Sequence, residues 1–125
     1  MTKVLEHKHI IIRAEVSEPI TRRNKAIKFL NRIIKAIGMK AMYGPTASYC
    51  KMNGNRGVTA FAIIETSHIA MHIWDEVNPA LVQLDVYTCG PFVPHSVLDI
   101  IQELKPSKVE YKYLDREKGF TELPI

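Results

Sequence analysis

Between His9 and Val16 the side chains sort into two faces, with Ile10, Ile12 and Ala14 on one and His9, Ile11, Arg13 and Glu15 on the other. A two-residue period of this kind predicts a first strand. Ser17-Glu18-Pro19 reads as a helix start, with a capping hydroxyl and a proline in the first turn. Ile27, Leu30, Ile34 and Ile37, widened by Ala26 and Ile33, follow a 3.6-residue period, and Gly38 stands where that helix would end. The chain then reads as extended from Lys40 to Asn53, broken by Gly44-Pro45, with a loop at Asn53-Gly54-Asn55-Arg56-Gly57. Gly57 to Glu65, Ile69 to Trp74 and Leu81 to Thr88 are three apolar strand patterns, the last two separated by the turn signal Asn78-Pro79. Pro94 opens a second helix with the stripe Val97, Leu98, Ile101 and Leu104, and Lys105-Pro106 ends it. Val109, Tyr111 and Tyr113 alternate in a last strand, and the tail after Glu117 is expected to be loosely held.

Strand, helix, several strands, helix, strand is the order of an α+β fold. The expected architecture is a two-layer α/β sandwich: a mainly antiparallel sheet with two main helices on one face, all within a single domain of residues 1–125. The sheet's other face must then meet water, a ligand or a second copy of the chain. Period-two geometry places Ile69, Met71, Ile73, Leu84, Val86 and Thr88 toward the helices. The opposite face collects His68, His72, Trp74, Asp85, Tyr87 and Cys89, a dense set of titratable groups for a small sheet and the place to expect chemistry. Each also has a structural reading; Asp85, for example, would pair with Arg13 or a lysine across the sheet. His68, His72 and Asp85 do not suggest a metal site, because histidines four apart on a strand are separated by roughly 13 Å.

Composition narrows the function classes. Of 125 residues, 46% are hydrophobic and 24% charged, as in an ordinary globular protein. No apolar run approaches the ~20 residues of a membrane span, and the N-terminus lacks the apolar core of a signal peptide. With only Cys50 and Cys89, neither a disulfide framework nor a zinc motif is expected, and a cytoplasmic setting is. The net charge of +4 suits an anionic partner without requiring one. Arg22, Arg23, Lys25, Lys28, Arg32 and Lys35 on the first helix read as a solvated exterior rather than a nucleic-acid face, since no aromatic residue interleaves with them.

One run carries more specific information. Gly57-Val58-Thr59-Ala60-Phe61-Ala62-Ile63-Ile64-Glu65-Thr66-Ser67-His68-Ile69-Ala70-Met71-His72-Ile73-Trp74-Asp75-Glu76, followed by Leu84-Asp85-Val86-Tyr87-Thr88-Cys89-Gly90, resembles the bacterial and archaeal S-adenosylmethionine decarboxylase family. The resemblance implies a proenzyme that cuts itself between Thr66 and Ser67, leaving a pyruvoyl group made from Ser67 as its only cofactor, with no metal and no pyridoxal phosphate. By the same resemblance, His72 is the processing histidine and Thr59 the supporting hydroxyl. Cys89 is the proton donor to the substrate's α-carbon, and Glu76 is an acid facing the substrate's cationic groups. His68, Trp74 and Asp85 support the site. The implied product is the aminopropyl donor for spermidine synthesis, and the implied assembly is a homodimer or higher homo-oligomer.

The chain departs from the family pattern in three places. Thr66 stands where the family has glutamate, with Glu65 one position earlier. Asn53-Gly54-Asn55-Arg56 replaces the aromatic and proline-glutamine pair that precede Gly57, leaving Tyr43, Tyr49 and Trp74 as the available stacking residues. The segment between Glu76 and Asp85 is about two residues longer than in the family. Two other readings accompany these departures. One is a pyruvoyl-dependent arginine or ornithine decarboxylase. The other is an uncleaved homologue that binds S-adenosylmethionine or regulates a paralogue.

Overall fold

The computed structural model describes residues 6–125; the first five residues of the N-terminal segment read above lie outside the described residues. Seven strands form one sheet in the order β2-β3-β4-β5-β1-β6-β7. They are β1 (Lys8–Val16), β2 (Ala41–Cys50), β3 (Gly57–Ile64), β4 (Ser67–Trp74), β5 (Ala80–Thr88), β6 (Pro106–Asp115) and β7 (Thr121–Glu122). Every pairing is antiparallel. Helices α1 (Arg23–Ala36) and α2 (Pro94–Ile101), the latter extended by a 3-10 turn at Gln102–Leu104, supply the second layer of the expected sandwich. Neither helix is long and apolar enough to cross a membrane.

The core lies between the layers, where apolar side chains leave water. Ile10, Ile12, Ile69, Met71, Ile73, Leu84 and Val86 of the sheet are buried there with Phe29, Leu30, Ile33, Val97 and Ile101 of the helices. The face assignment of the middle strands therefore holds: the buried set alternates with exposed or half-buried His68, His72, Gln83, Asp85 and Tyr87. Phe29 joins the α1 stripe, and Ile27 is only half-buried.

Two expectations about element ends are corrected. Ser17-Glu18-Pro19 does not start α1. The backbone N–H groups of Ser17 and Glu18 donate to the carbonyls of Lys105 and Leu104, so this segment is held against the start of β6, and the helix begins at Arg23. The tail after Glu117 is not loose either. Thr121 and Glu122 pair with Asp115 and Leu114, and Leu123 N–H donates to the Tyr113 carbonyl at 2.7 Å. At the other end of α1 the reading from sequence stands. Gly38 adopts φ +72°, its N–H bonds the Lys35 carbonyl, and Met39 N–H reaches the Ile34 carbonyl, the two bonds of a glycine-terminated helix end.

Candidate active site

Ser67 is the first residue of β4, reached from Ile64 through the two-residue turn Glu65-Thr66. It is held on both sides, paired with Ile64 of β3 and Thr88 of β5. Its φ is +139°, a region that costs an L-residue about 1–3 kcal/mol and persists only where the surroundings impose it. Next to it, the Thr66 carbonyl accepts a hydrogen bond from the backbone N–H of Cys89 at 2.6 Å. Cys89, expected on the strand face of Asp85 and Tyr87, sits instead in the bend just past the end of β5. That bend is set by Thr88, fully buried, whose hydroxyl donates to the Gly90 carbonyl.

Thr66 fills its position tightly. Its hydroxyl contacts the Met39 sulfur at 3.0 Å, and its methyl lies where a Cβ on residue 90 would come within 3.2 Å, so a glycine at 90 leaves room for the branched side chain. The strained residue, the polarised carbonyl before it and the cysteine thus form one cluster.

A second cluster lies at the other end of β4. Thr59 of β3 is the cross-strand partner of His72, and its Oγ1 is 3.1 Å from His72 Nδ1. The His72 ring stacks on Trp74, with centroids 5.9 Å apart. The Trp74 indole N–H donates to the Asn55 carboxamide oxygen at 2.7 Å. Glu76 accepts hydrogen bonds from the backbone N–H groups of Arg56 (2.9 Å) and Gly54 (3.2 Å), which hold its carboxyl below the usual carboxylate range. Tyr49 donates to Asp75 at 2.7 Å, and Tyr43 stacks on Phe61. Five strand positions separate Ser67 from His72, roughly 16 Å at the rise of a strand. One copy of the chain therefore does not bring its own His72 to its own Ser67.

Asp85 lies between the two clusters on the open face. It does not pair with Arg13, which binds Glu15, or with any lysine among the described residues. Its Oδ1 meets His9 Nε2 at 2.9 Å and His68 Nε2 at 3.3 Å. Arg116 approaches His9 Nδ1 at 3.1 Å and covers the Tyr87 ring. Because a guanidinium only donates, His9 Nδ1 accepts and its Nε2–H is directed at Asp85. The patterns in the sequence placed His9 on the open face but did not link it to Asp85. They missed Arg116 altogether, since it lies beyond Tyr113, the last position of the alternating strand pattern. Burial raises the Asp85 pKa, yet the hydrogen bond from His9 and attraction to His9 and His68 outweigh it, and the net shift is downward. A lowered carboxyl contributes stability above the ordinary value of about 4 and loses it as pH falls through the lowered one. The difference in thermal midpoint between the native chain and Asp85→Asn is accordingly expected to close as the pH falls below about 4. A gap unchanged down to pH 2 in melting curves would refute this coupling.

Comparison with known proteins bears on the family and the fold. The family model described as S-adenosylmethionine decarboxylase matches residues 8–117. The chain belongs to the S-adenosylmethionine decarboxylase family. Among archaeal relatives of this family, the S-adenosylmethionine decarboxylase proenzyme of Pyrobaculum islandicum is 40% identical over 108 residues, covering 85% of this chain and 76% of that one. The proenzyme of the same name from Methanococcus maripaludis is 35% identical over 98 residues, covering 77% and 74%. The crystal structure of the adenosylmethionine decarboxylase from Aquifex aeolicus superposes with a TM-score of 0.65 at 25% identity, covering 99% of this chain and 98% of that one. The sandwich described above is thus shared with an adenosylmethionine decarboxylase of known structure.

Proposed function

We propose that this chain is a pyruvoyl-dependent decarboxylase of S-adenosylmethionine that makes its cofactor by cutting itself between Thr66 and Ser67, and that its product is the aminopropyl donor for spermidine synthesis. The observation that carries the reading is the 2.6 Å hydrogen bond from Cys89 N–H to the Thr66 carbonyl, beside a serine at φ +139°. When Ser67 Oγ adds to that carbonyl carbon, negative charge develops on the oxygen the amide already faces, so the donor is in place before the reaction begins. The peptide C–N bond breaks, the nitrogen takes up a proton, and an ester links the two segments. Loss of the Cα proton of residue 67 then expels Thr66 as a carboxylate, and water releases the nitrogen as ammonia. The strain supports the same direction. The penalty at positive φ comes from Cβ on a tetrahedral L-centre, and it vanishes when that Cα becomes a planar carbonyl carbon.

Ser67, the Thr66 carbonyl and the Cys89 amide fit the formation of a pyruvoyl group, which supplies an electron sink for the substrate's α-carbon without pyridoxal phosphate or a metal. The Cys89 thiol is the group proposed to return a proton to that carbon. Glu76 has lone pairs beyond the two it gives to the loop, and these suit the cationic amine or sulfonium. Trp74, beside the Thr59–His72 pair, is the stacking surface proposed in place of the missing aromatic.

The distance between Ser67 and His72 supports a homodimer. The open face carries exposed Ile11, Phe61 and Ile63 around half-buried Ala70, an apolar surface for a second copy. A twofold axis lying above the open face, over Ala70 and across the strand direction, would carry His72 of each copy toward Ser67 of the other, completing two sites. The decisive measurement is an intact-mass spectrum with carboxyl-labelled S-adenosylmethionine as substrate. Fragments of 66 and 59 residues (125 − 66 = 59) and release of labelled CO2 are expected. A chain that stays whole supports the uncleaved homologue, and cleavage with preference for arginine or ornithine supports the other decarboxylase reading.

A further inference from the structure

Four hydrogen bonds tie the segment Asn53-Gly54-Asn55-Arg56 to the end of β4. Three use loop backbone: Gly54 and Arg56 N–H donate to Glu76, and the Arg56 carbonyl accepts from Asp75 N–H at 3.1 Å. Loops of many sequences could make those. The fourth depends on one side chain, the Asn55 carboxamide oxygen that accepts from Trp74 Nε1–H. The other end of that carboxamide points toward Cys50, Nδ2 to Sγ 3.7 Å, which leaves the oxygen facing the indole. Trp74 has a single polar hydrogen, and Asn55 takes it. On its other side the indole lies against His72 with an interplanar angle of 29°.

We infer that Asn55 is a positioning residue for self-cleavage, holding the His72 ring in its working plane through Trp74. The inference rests on the proposed processing at Ser67. The bond from His72 Nδ1 to Thr59 fixes one point of the imidazole but leaves its plane free to tilt about that contact. A stacked indole removes that freedom, provided the indole is itself anchored. Asn55 is the anchor, and its carboxamide does for ring orientation what no backbone group of the loop is placed to do.

The test uses Asn55→Leu, which keeps the size and removes the acceptor, and Asn55→Asp, which keeps an acceptor oxygen. The chain has one tryptophan, so intrinsic fluorescence reports Trp74 alone. In Asn55→Leu the emission maximum is expected to shift and self-cleavage to slow by about threefold to tenfold, the scale of one hydrogen bond. Asn55→Asp is expected to restore both. Unchanged emission or unchanged cleavage in Asn55→Leu overturns the inference, as does a slowing that Asn55→Asp fails to rescue. The same emission spectra recorded in a Ser67→Ala background separate the two levels. No shift there removes the Asn55–Trp74 coupling alone. A shift there, with no cleavage of the native chain, removes the processing reading and leaves the coupling standing.

Discussion

Purified alone, Ser67→Ala and His72→Ala each remain a single uncut chain; refolded together, they yield cut chains, and only those bearing the His72→Ala substitution are cut. This outcome follows from two observations. The hydroxyl and the strained φ belong to residue 67, whereas His72 lies roughly 16 Å farther along the same strand. In the proposed homodimer, a chain carrying His72→Ala keeps a competent serine and borrows the histidine of the other copy. The Ser67→Ala chain lends its histidine but has nothing to cut. Each single variant is expected to lose at least about 10²-fold in cleavage rate, the usual scale for a nucleophile or a proton-transfer group. Mass spectrometry of the mixture distinguishes the two chains by their substitutions. If the mixture stays whole while the native protein cuts, the shared site is wrong. Cleavage of His72→Ala by itself at the native rate would remove His72 from processing.

Gly57→Ala is expected to have the largest effect on stability. Gly57 opens β3 at φ +151°, and a Cβ built there would lie 1.6 Å from the Ile73 carbonyl oxygen and 3.2 Å from Trp74 Cα. Both atoms are backbone, so relief requires β3 and β4 to part or slip. A loss of about 3 kcal/mol or more is expected, combining the left-handed penalty with overpacking against an immobile neighbour. That is a large part of the roughly 5–15 kcal/mol that holds a domain together. Gly54→Ala provides the control, because Gly54 also has positive φ (+85°) but a Cβ there meets nothing within 4 Å. Chemical denaturation of both variants isolates the clash, and equal midpoints would show that the close approach does not govern stability.

These expectations differ in how far the amino-acid order alone reaches. The faces of β4 and β5 were legible because one buried side forces a two-residue alternation, and shifting it by one position would expose the whole apolar set. The α1 boundary was misread for the opposite reason. Ser17 and Pro19 carry the local signature of a helix start, but hydrogen bonds to Leu104 and Lys105, nearly ninety residues away, captured that backbone first. The short β7 has the same origin, since its pairing with Leu114 and Asp115 leaves no periodicity in two residues.

The site divides along the same line. Residue types and spacing from Thr59 to Cys89 pointed to the family that the match over residues 8–117 shows. Only the tertiary structure decided that Cys89 reaches Thr66 through its backbone N–H, that Ser67 sits at positive φ, and that His9 and Arg116 flank Asp85. Main-chain donors and dihedral angles leave no mark on side-chain identity. Which strands become neighbours, here β1 beside β5, is set by packing the whole sheet against two helices.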